Sequence, residues 1–258
     1  MRHPPVTWTG RRRAEIPLVA VAHGSRDPRA AATVESLLDA VRARRPGLPV
    51  HASFLDHAPP SPDRVLQGLD ADAAVVLPLL LTAAYHSKID LPGVLAEVRT
   101  ARPRLGLRTA GTLGPHPLLI AALERRLAEA GVRRGDPGTA VVLVAAGSSD
   151  PAANAVIWSM ARGWREAGWW GVIPAFASAT GPSPAEAVAA LRDAGAPRVA
   201  VASYFLAPGH FADKVRAESL SAGATVVSGV LGAAPELAEL VLHRHDEALA
   251  GPPQAAAV

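Results

Sequence analysis

The stretch LVAVAHGSRDP (residues 18–28) recurs as VVLVAAGSSDP (residues 141–151) in the second half of the chain. Each copy runs from small aliphatic residues, typical of a buried strand, to a glycine that permits a tight turn into a helix. Three more pairs of segments follow in the same order, 118 to 124 residues apart: FLDHAPPSP with FASATGPSP, LPLLLTAAYH with VASYFLAPGH, and GTLGPHPLL with GVLGAAPEL. Four collinear matches indicate two homologous halves.

The halves share one alternation of predicted strands and helices. In the first half, strands are predicted at LVAVA, VHASF, AAVVLPLLL and LRTAG, and helices at residues 30–44, 62–69, 92–101 and 117–130. Ser61, which precedes a proline, is expected to cap the second of these helices. The second half repeats the pattern up to a helix at residues 234–249. Such alternation predicts the α/β class, here two tandem Rossmann-like lobes, each a small parallel sheet flanked by helices.

The predicted lobes cover residues 16–131 and 140–249, and a polar linker containing Gly and Pro joins them at residues 132–139. Residues 1–15 and 250–258 are expected to be disordered tails. The N-terminal segment has no apolar stretch long enough for a signal peptide, and the first apolar run is too short to cross a bilayer. These features predict a cytoplasmic protein with no membrane partner.

The composition excludes several kinds of site. The 258 residues include no cysteine, so the chain alone forms no disulfide, zinc–thiolate site or iron–sulfur cluster. The net charge of +3 suits an anionic ligand. No basic run is interleaved with aromatic residues, however, and this disfavours nucleic acid as a partner.

Polar side chains follow four predicted strands of the first half at the point where each strand ends. His23 follows the first strand, Asp56 the second, His86 the third and His116 the fourth. Ligands of open parallel sheets bind at the carboxyl ends of the strands, so these side chains are expected to share one rim.

The second half keeps the strands and turns but loses most of these polar residues. Ala146, Ser178 and Ala234 stand where the first half has a histidine or an aspartate, and only His86 has a retained counterpart, His210. Residues that serve the fold should be needed in both copies. The asymmetry therefore indicates one active site, in the first half.

Two histidines and one carboxylate suit a weakly held divalent ion such as Fe²⁺, Co²⁺, Ni²⁺ or Zn²⁺. Catalytic metal sites keep coordination positions open, and the same side chains can accept protons near neutral pH. From the residues alone, metal insertion into a ligand, metal-assisted hydrolysis, carriage of a metal without turnover, and a two-lobed ligand receptor all remain open. The missing signal peptide argues against a periplasmic receptor.

The segments AHGSRDP, FLD, PLLLTAAYHSKIDLP and LGPHP, in that order, resemble the sirohydrochlorin chelatase family, and the resemblance covers residues 17–249. It implies two Rossmann-like lobes that flank a cleft. It also implies ATP-independent insertion of iron or cobalt, in some members nickel, into sirohydrochlorin for siroheme or cobalamin synthesis. The metal would be a substrate, with no permanently bound cofactor, and one chain with two lobes would suffice as a monomer.

The resemblance assigns metal binding and catalysis to His23 and His86. The family usually has Glu where this chain has Asp56, and the shorter side chain favours a catalytic role through water or in proton uptake over direct ligation. Some cobalt-type members carry a His-rich tail or a Cys-based cluster motif, and this chain has neither, which favours iron.

The substrate implied by the resemblance carries many carboxylates at its rim, which suits the basic bias of the chain. The candidate substrate-binding residues lie beside the two histidines, after the fourth predicted strand, or on the opposite lobe: Ser25, Arg26, Lys88, His116, His210, Lys214 and Arg216. Each exposed ion pair would contribute ~1 kcal/mol or less, so no single pair should be essential.

Overall fold

A computed structural model describes residues 15–82 and 90–251 of the chain. Its strands are β1 (Leu18–Ala22), β2 (Val50–Phe54), β3 (Ala73–Pro78) and β4 (Gly106–Thr109) in the first lobe, then β5 (Thr139–Ala145), β6 (Gly171–Phe176), β7 (Arg198–Ser203) and β8 (Val226–Val227) in the second. Its helices are α1 (Pro28–Arg44), α2 (Pro62–Gly68), α3 (Asp90–Ala101), α4 (Pro117–Glu129), α5 (Pro151–Arg165), α6 (Pro184–Asp193), α7 (His210–Ser221) and α8 (Pro235–Ala250). In these two ranges, none of the helices is long and apolar enough to cross a membrane.

The described residues form two parallel sheets with the same topology. The strand orders are β2-β1-β3-β4 and β6-β5-β7-β8, and every neighbouring pair is parallel. The predicted α/β class with internal duplication is confirmed. β3 is shorter than predicted, because the chain leaves the sheet after Pro78 and the Leu80 carbonyl accepts a hydrogen bond from Leu113 N–H at 2.9 Å.

Both sheets are buried on both faces, which explains why their strands are continuous apolar runs. On β1, Leu18, Ala20 and Ala22 face the central core shared by the two lobes. Val19 and Val21 face an outer core formed with α2 and α3. The second lobe has a matching outer core between its sheet and helices α6 and α7. The central core therefore lies between the two sheets, and each sheet has an outer core on its other face.

The lobes exchange their last helices. α4 follows β4 in sequence but packs against β7 of the second lobe, and α8 follows β8 but packs against α1, β3 and β4 of the first. Side chains reinforce the exchange: Arg126 of α4 donates to the Leu231 carbonyl, and Arg108 of β4 donates to the Ala248 and Leu249 carbonyls at the end of α8. Each lobe is completed by a helix from the other.

Some of the residues that cap the helices are repeated between the two lobes. Asp27 caps α1 and Asp150 caps α5, each accepting a backbone N–H two residues later at 2.9 Å. Ser183 caps α6 in a reciprocal capping box with Glu186. The predicted side-chain cap at Ser61 was wrong: Ser61 stands at the N-cap position of α2, but its side chain makes no capping hydrogen bond. α2 begins instead with the proline that follows.

The segment between the lobes is anchored by one buried carboxylate. Asp136 accepts hydrogen bonds from Thr139 Oγ1 at 2.7 Å and from Gly138 N–H at 3.1 Å, and it pairs with Arg198. These partners, the Thr139 hydroxyl first, hold the pKa of Asp136 below its ordinary value.

Acid should therefore weaken this anchor. A carboxyl whose pKa is lower in the folded chain stabilises the fold above its unfolded pKa and loses that contribution as the pH falls through the folded value. We expect Asp136→Asn to be less stable than the wild type near neutral pH, with the difference shrinking as the pH falls below the ordinary Asp pKa of about 3.9. Urea midpoints measured across that range test this, and a difference that stays constant with pH would contradict it.

Candidate active site

A cleft of about 700 Å³ opens between the lobes at the carboxyl ends of the central strands. Its walls are the loops after β1, β2 and β3 in the first lobe and after β5 and β7 in the second. The lining is mostly apolar, with a few polar side chains from the loops. A large, open and mostly apolar cleft with convergent polar groups has the character of a site for a small organic ligand.

His23 lines the cleft at the end of β1. Its carbonyl accepts a hydrogen bond from Asp56 N–H at 2.9 Å, which joins the loop after β1 to the loop after β2. Gly24 follows with φ +94°, and a Cβ at this residue would lie 1.8 Å from the Asp56 carbonyl oxygen. Only glycine allows the two loops to approach this closely. The backbone at His23 is therefore held against the second loop.

Ser25 and Arg26 continue the same wall of the cleft. The Ser25 hydroxyl accepts a hydrogen bond from Asp27 N–H at 3.1 Å, so it also shapes the start of α1. Arg26 is exposed at the cleft. Arg29, at the start of α1, pairs with Asp27 and reaches Asp213 of α7 at 2.6 Å, so an ion pair joins the lobes here.

The loop after β2 presents a histidine that the sequence analysis missed. His57 lines the cleft, whereas the Asp56 side chain is 62% exposed and stays outside the lining. Asp56 Oδ1 accepts His57 N–H at 2.7 Å, and its Oδ2 lies 3.3 Å from His57 Nε2. The sequence repeat could have identified this residue. The second half has Ala179 at the equivalent position, so the histidine is missing there just as the other polar residues are.

The second lobe contributes His210, the first residue of α7, to the opposite wall of the cleft. Lys214 is exposed on α7 outside the lining and lies 3.8 Å from Glu218. Arg216 donates to the Val227 carbonyl at 3.0 Å, which ties it to β8. Of the second-lobe candidates, the structure brings only His210 to the cleft.

His116 lies away from the cleft. Its Nδ1 accepts the Leu118 N–H at 3.2 Å and so caps α4, and it borders a separate cavity of about 740 Å³ between α4 and α5. Burial, helped by Arg244, lowers the pKa of His116. A neutral imidazole can accept the capping N–H, so this histidine serves the helix start.

His86 and Lys88 lie outside the residues that the structure describes. Among residues 15–82 and 90–251, no group of three or more His, Asp or Glu side chains is placed to hold a metal ion. In the described part of the chain, the predicted metal-binding residue at the cleft is His23.

A cross-lobe hydrogen bond holds the chain after β3 at Leu81. The buried Tyr204, at the end of β7, donates its hydroxyl to the Leu81 carbonyl at 3.0 Å. Gly114 packs on the same carbonyl, where a Cβ would lie 2.1 Å from the oxygen. Burial raises the pKa of Tyr204, so the hydroxyl stays a donor.

The Tyr204→Phe variant should lose about 1–2 kcal/mol of unfolding free energy, because the Leu81 carbonyl is left without its donor. The aromatic ring and its packing are kept, so the change isolates the hydroxyl. Equilibrium urea unfolding measures the loss. A variant as stable as the wild type would mean that the bond contributes nothing.

Comparison with known proteins finds the same family in each half of the chain. A family model described as CbiX matches residues 17–130 and again residues 140–248. A protein named sirohydrochlorin cobaltochelatase from Priestia megaterium is 29% identical over 254 residues, covering 90% of this chain and 79% of the relative. One named sirohydrochlorin ferrochelatase from Bacillus subtilis (strain 168) is 27% identical over 206 residues, covering 78% of each.

The fold has solved counterparts. The structure described as SirB from Bacillus subtilis with Fe3+ superposes with a TM-score of 0.77 at 26% identity, covering 90% of this chain and 94% of that one. The relatives thus include one named for cobalt and others named for or solved with iron.

Proposed function

Because the chain belongs to the CbiX family, we propose that it inserts a divalent metal ion into sirohydrochlorin without ATP. The main support for the proposal is the position of His23, which lines a large, mostly apolar cleft between the lobes at the end of β1. Imidazole is a ligand for Fe²⁺, Co²⁺ and Ni²⁺. The apolar walls suit the faces of a macrocycle, and the polar loops suit its charged rim.

The proposed roles follow the placement of each side chain. His23 and His86 hold the incoming ion, with positions left open for the ring nitrogens. Ser25, Arg26 and His210 contact the carboxylates of the macrocycle, and Lys88 stays in this group as a prediction from sequence. His116 and Lys214 are left out, because the first caps α4 and the second lies beside Glu218 outside the cleft.

Both walls of the cleft come from one chain, so a monomer suffices for the reaction. The ring enters between the lobes, the ion moves from the two histidines to the ring nitrogens, and two pyrrole protons leave. The apolar walls exclude water from the ring faces, which strengthens the contacts of the polar groups.

Iron is the metal we favour, with cobalt next, because these 258 residues contain no cysteine for the cluster motif of some cobalt-type members. Relatives named for both metals resemble the chain, so the two ions must be compared directly. The other candidate function is a carrier that binds the metal or the tetrapyrrole without turnover.

The test is an anaerobic insertion assay with purified protein, sirohydrochlorin and Fe²⁺, Co²⁺ or Ni²⁺, followed by the absorbance change of the macrocycle. We expect many turnovers per chain above the metal-only rate, fastest with Fe²⁺. Binding of the macrocycle without faster insertion would establish the carrier instead. A higher rate with Co²⁺ would overturn the preference for iron and keep the chelatase.

A further inference from the structure

His57 lines the cleft, and the proposed function assigns it no role. It follows β2, its ring is about one-third exposed, and its Nε2 lies 3.3 Å from Asp56 Oδ2. Its backbone is left-handed, with φ +63°. Left-handed backbone is costly for residues other than glycine and persists where the surrounding structure imposes it.

The fold imposes this turn but does not require the histidine. In the second lobe Ala179 occupies the equivalent position with φ +65°, and the turn repeats bond for bond. Asp56 N–H donates to the His23 carbonyl at 2.9 Å, and its counterpart Ser178 donates to Ala146 at 3.0 Å. The same turn therefore forms with neither imidazole nor carboxylate. His57 and Asp56 are both additions of the lobe that carries His23.

The two added groups have the arrangement of an oriented base. A carboxylate beside one ring nitrogen fixes the orientation of an imidazole and keeps its proton on that nitrogen, which leaves the other nitrogen as an acceptor. Nε2 is the nitrogen that faces Asp56, so Nδ1 is the acceptor. The partly exposed ring can also pass a proton on to water.

Resting on the proposed function, we propose that His57 accepts a pyrrole proton during metal insertion and that Asp56 positions it. The pyrrole N–H bond breaks, and its electron pair stays on nitrogen and binds the metal. The proton forms a bond to His57 Nδ1, and the imidazolium releases it to water. Asp56 stabilises the transient positive charge. In this proposal His57 removes the proton, whereas His23 and His86 deliver the metal.

The variant that tests this is His57→Gly. Glycine adopts the left-handed turn without strain, and it leaves a space at the cleft that free imidazole can enter. We expect kcat for insertion to fall ~100-fold, in the range that general bases contribute, with KM for the metal unchanged. Added imidazole should restore at least ~10-fold of the rate, after correction for its effect on the wild type. Asp56→Asn should lose less, ~10-fold.

The matched control is Ala179→Gly. It relaxes the same left-handed backbone in the other lobe, outside the cleft lining, and should keep the wild-type rate. An unchanged kcat in His57→Gly would overturn the proposal. So would a loss that saturating metal abolishes, which would make His57 a metal ligand, or an equal loss in Ala179→Gly. A wild-type chain that inserts no metal refutes the proposed function itself, whereas an active wild type with an unimpaired His57→Gly refutes only the role of His57.

Discussion

Alanine at Gly24 is expected to lower the free energy of unfolding by about 4 kcal/mol or more, the range reached by exceptional single substitutions. The added Cβ would lie 1.8 Å from the Asp56 carbonyl oxygen, which belongs to the backbone and cannot rotate away. The residue also has φ +94°, which costs an alanine about 1–2 kcal/mol by itself. The loops after β1 and β2 must therefore separate or the chain must unfold. Equilibrium urea unfolding measures the loss.

Two other glycines separate the clash from the backbone strain. Gly131 has φ +85°, and a Cβ at this residue would meet no atom within 4 Å, so Gly131→Ala should lose only the strain, about 1–2 kcal/mol. Gly147 is the counterpart of Gly24, with φ +87° and a Cβ position 2.0 Å from the Ser178 oxygen, so its alanine variant should match Gly24→Ala. Equal losses in the Gly24 and Gly131 variants would show that the close approach of the loops is not what requires glycine.

The second large effect is on activity: His23→Ala should reduce metal insertion by at least ~100-fold. Loss of groups that merely support a metal ligand already costs ~10–100-fold, so loss of a ligand should cost more. The variant should remain folded, because it turns the first-lobe loop into the alanine version that the second lobe already has at Ala146. That loop keeps the same turn, with Gly147 at φ +87°.

The measurement is the anaerobic insertion rate for each metal, with thermal unfolding of the same preparation as the control for folding. His86→Ala should behave in the same way if the two histidines share one ion. The reciprocal variant Ala146→His supplies a histidine on the wrong lobe and should not restore activity to His23→Ala. A folded His23→Ala chain with full activity would remove this residue from the mechanism.

The repeat in the sequence predicted much of this fold. Apolar runs such as LVAVA and VVLVAA identified the central strands. A strand that is buried on both faces is apolar at consecutive positions, so it is easy to recognise in the sequence. The helices predicted from residues 62 and 117 begin at Pro62 and Pro117 in the structure. The loss of polar residues from the second half directed attention to the loop that carries His23, and the structure places that residue in the cleft.

Other features depend on contacts that no local pattern encodes. The position of His116 after a strand suggested the shared rim, but the exchange of α4 takes this residue toward α5. Asp56 and His57 are adjacent in sequence, and which of them faces the cleft depends on the left-handed backbone at His57. Tyr204 directly follows β7, and its bond to Leu81 exists only because the lobes meet there.

The exchanged helices also affect how the chain is made. α8 covers the inner side of the first sheet, yet it is the last of the described helices to leave the ribosome. Until residue 250 has been synthesised, the apolar faces of α1 and β3 lack the helix that covers them, although the first lobe's strands were translated long before. We therefore expect chains that lack α8 to aggregate more readily than the complete chain. We also expect more chaperone binding during translation than for a protein whose two domains fold one after the other.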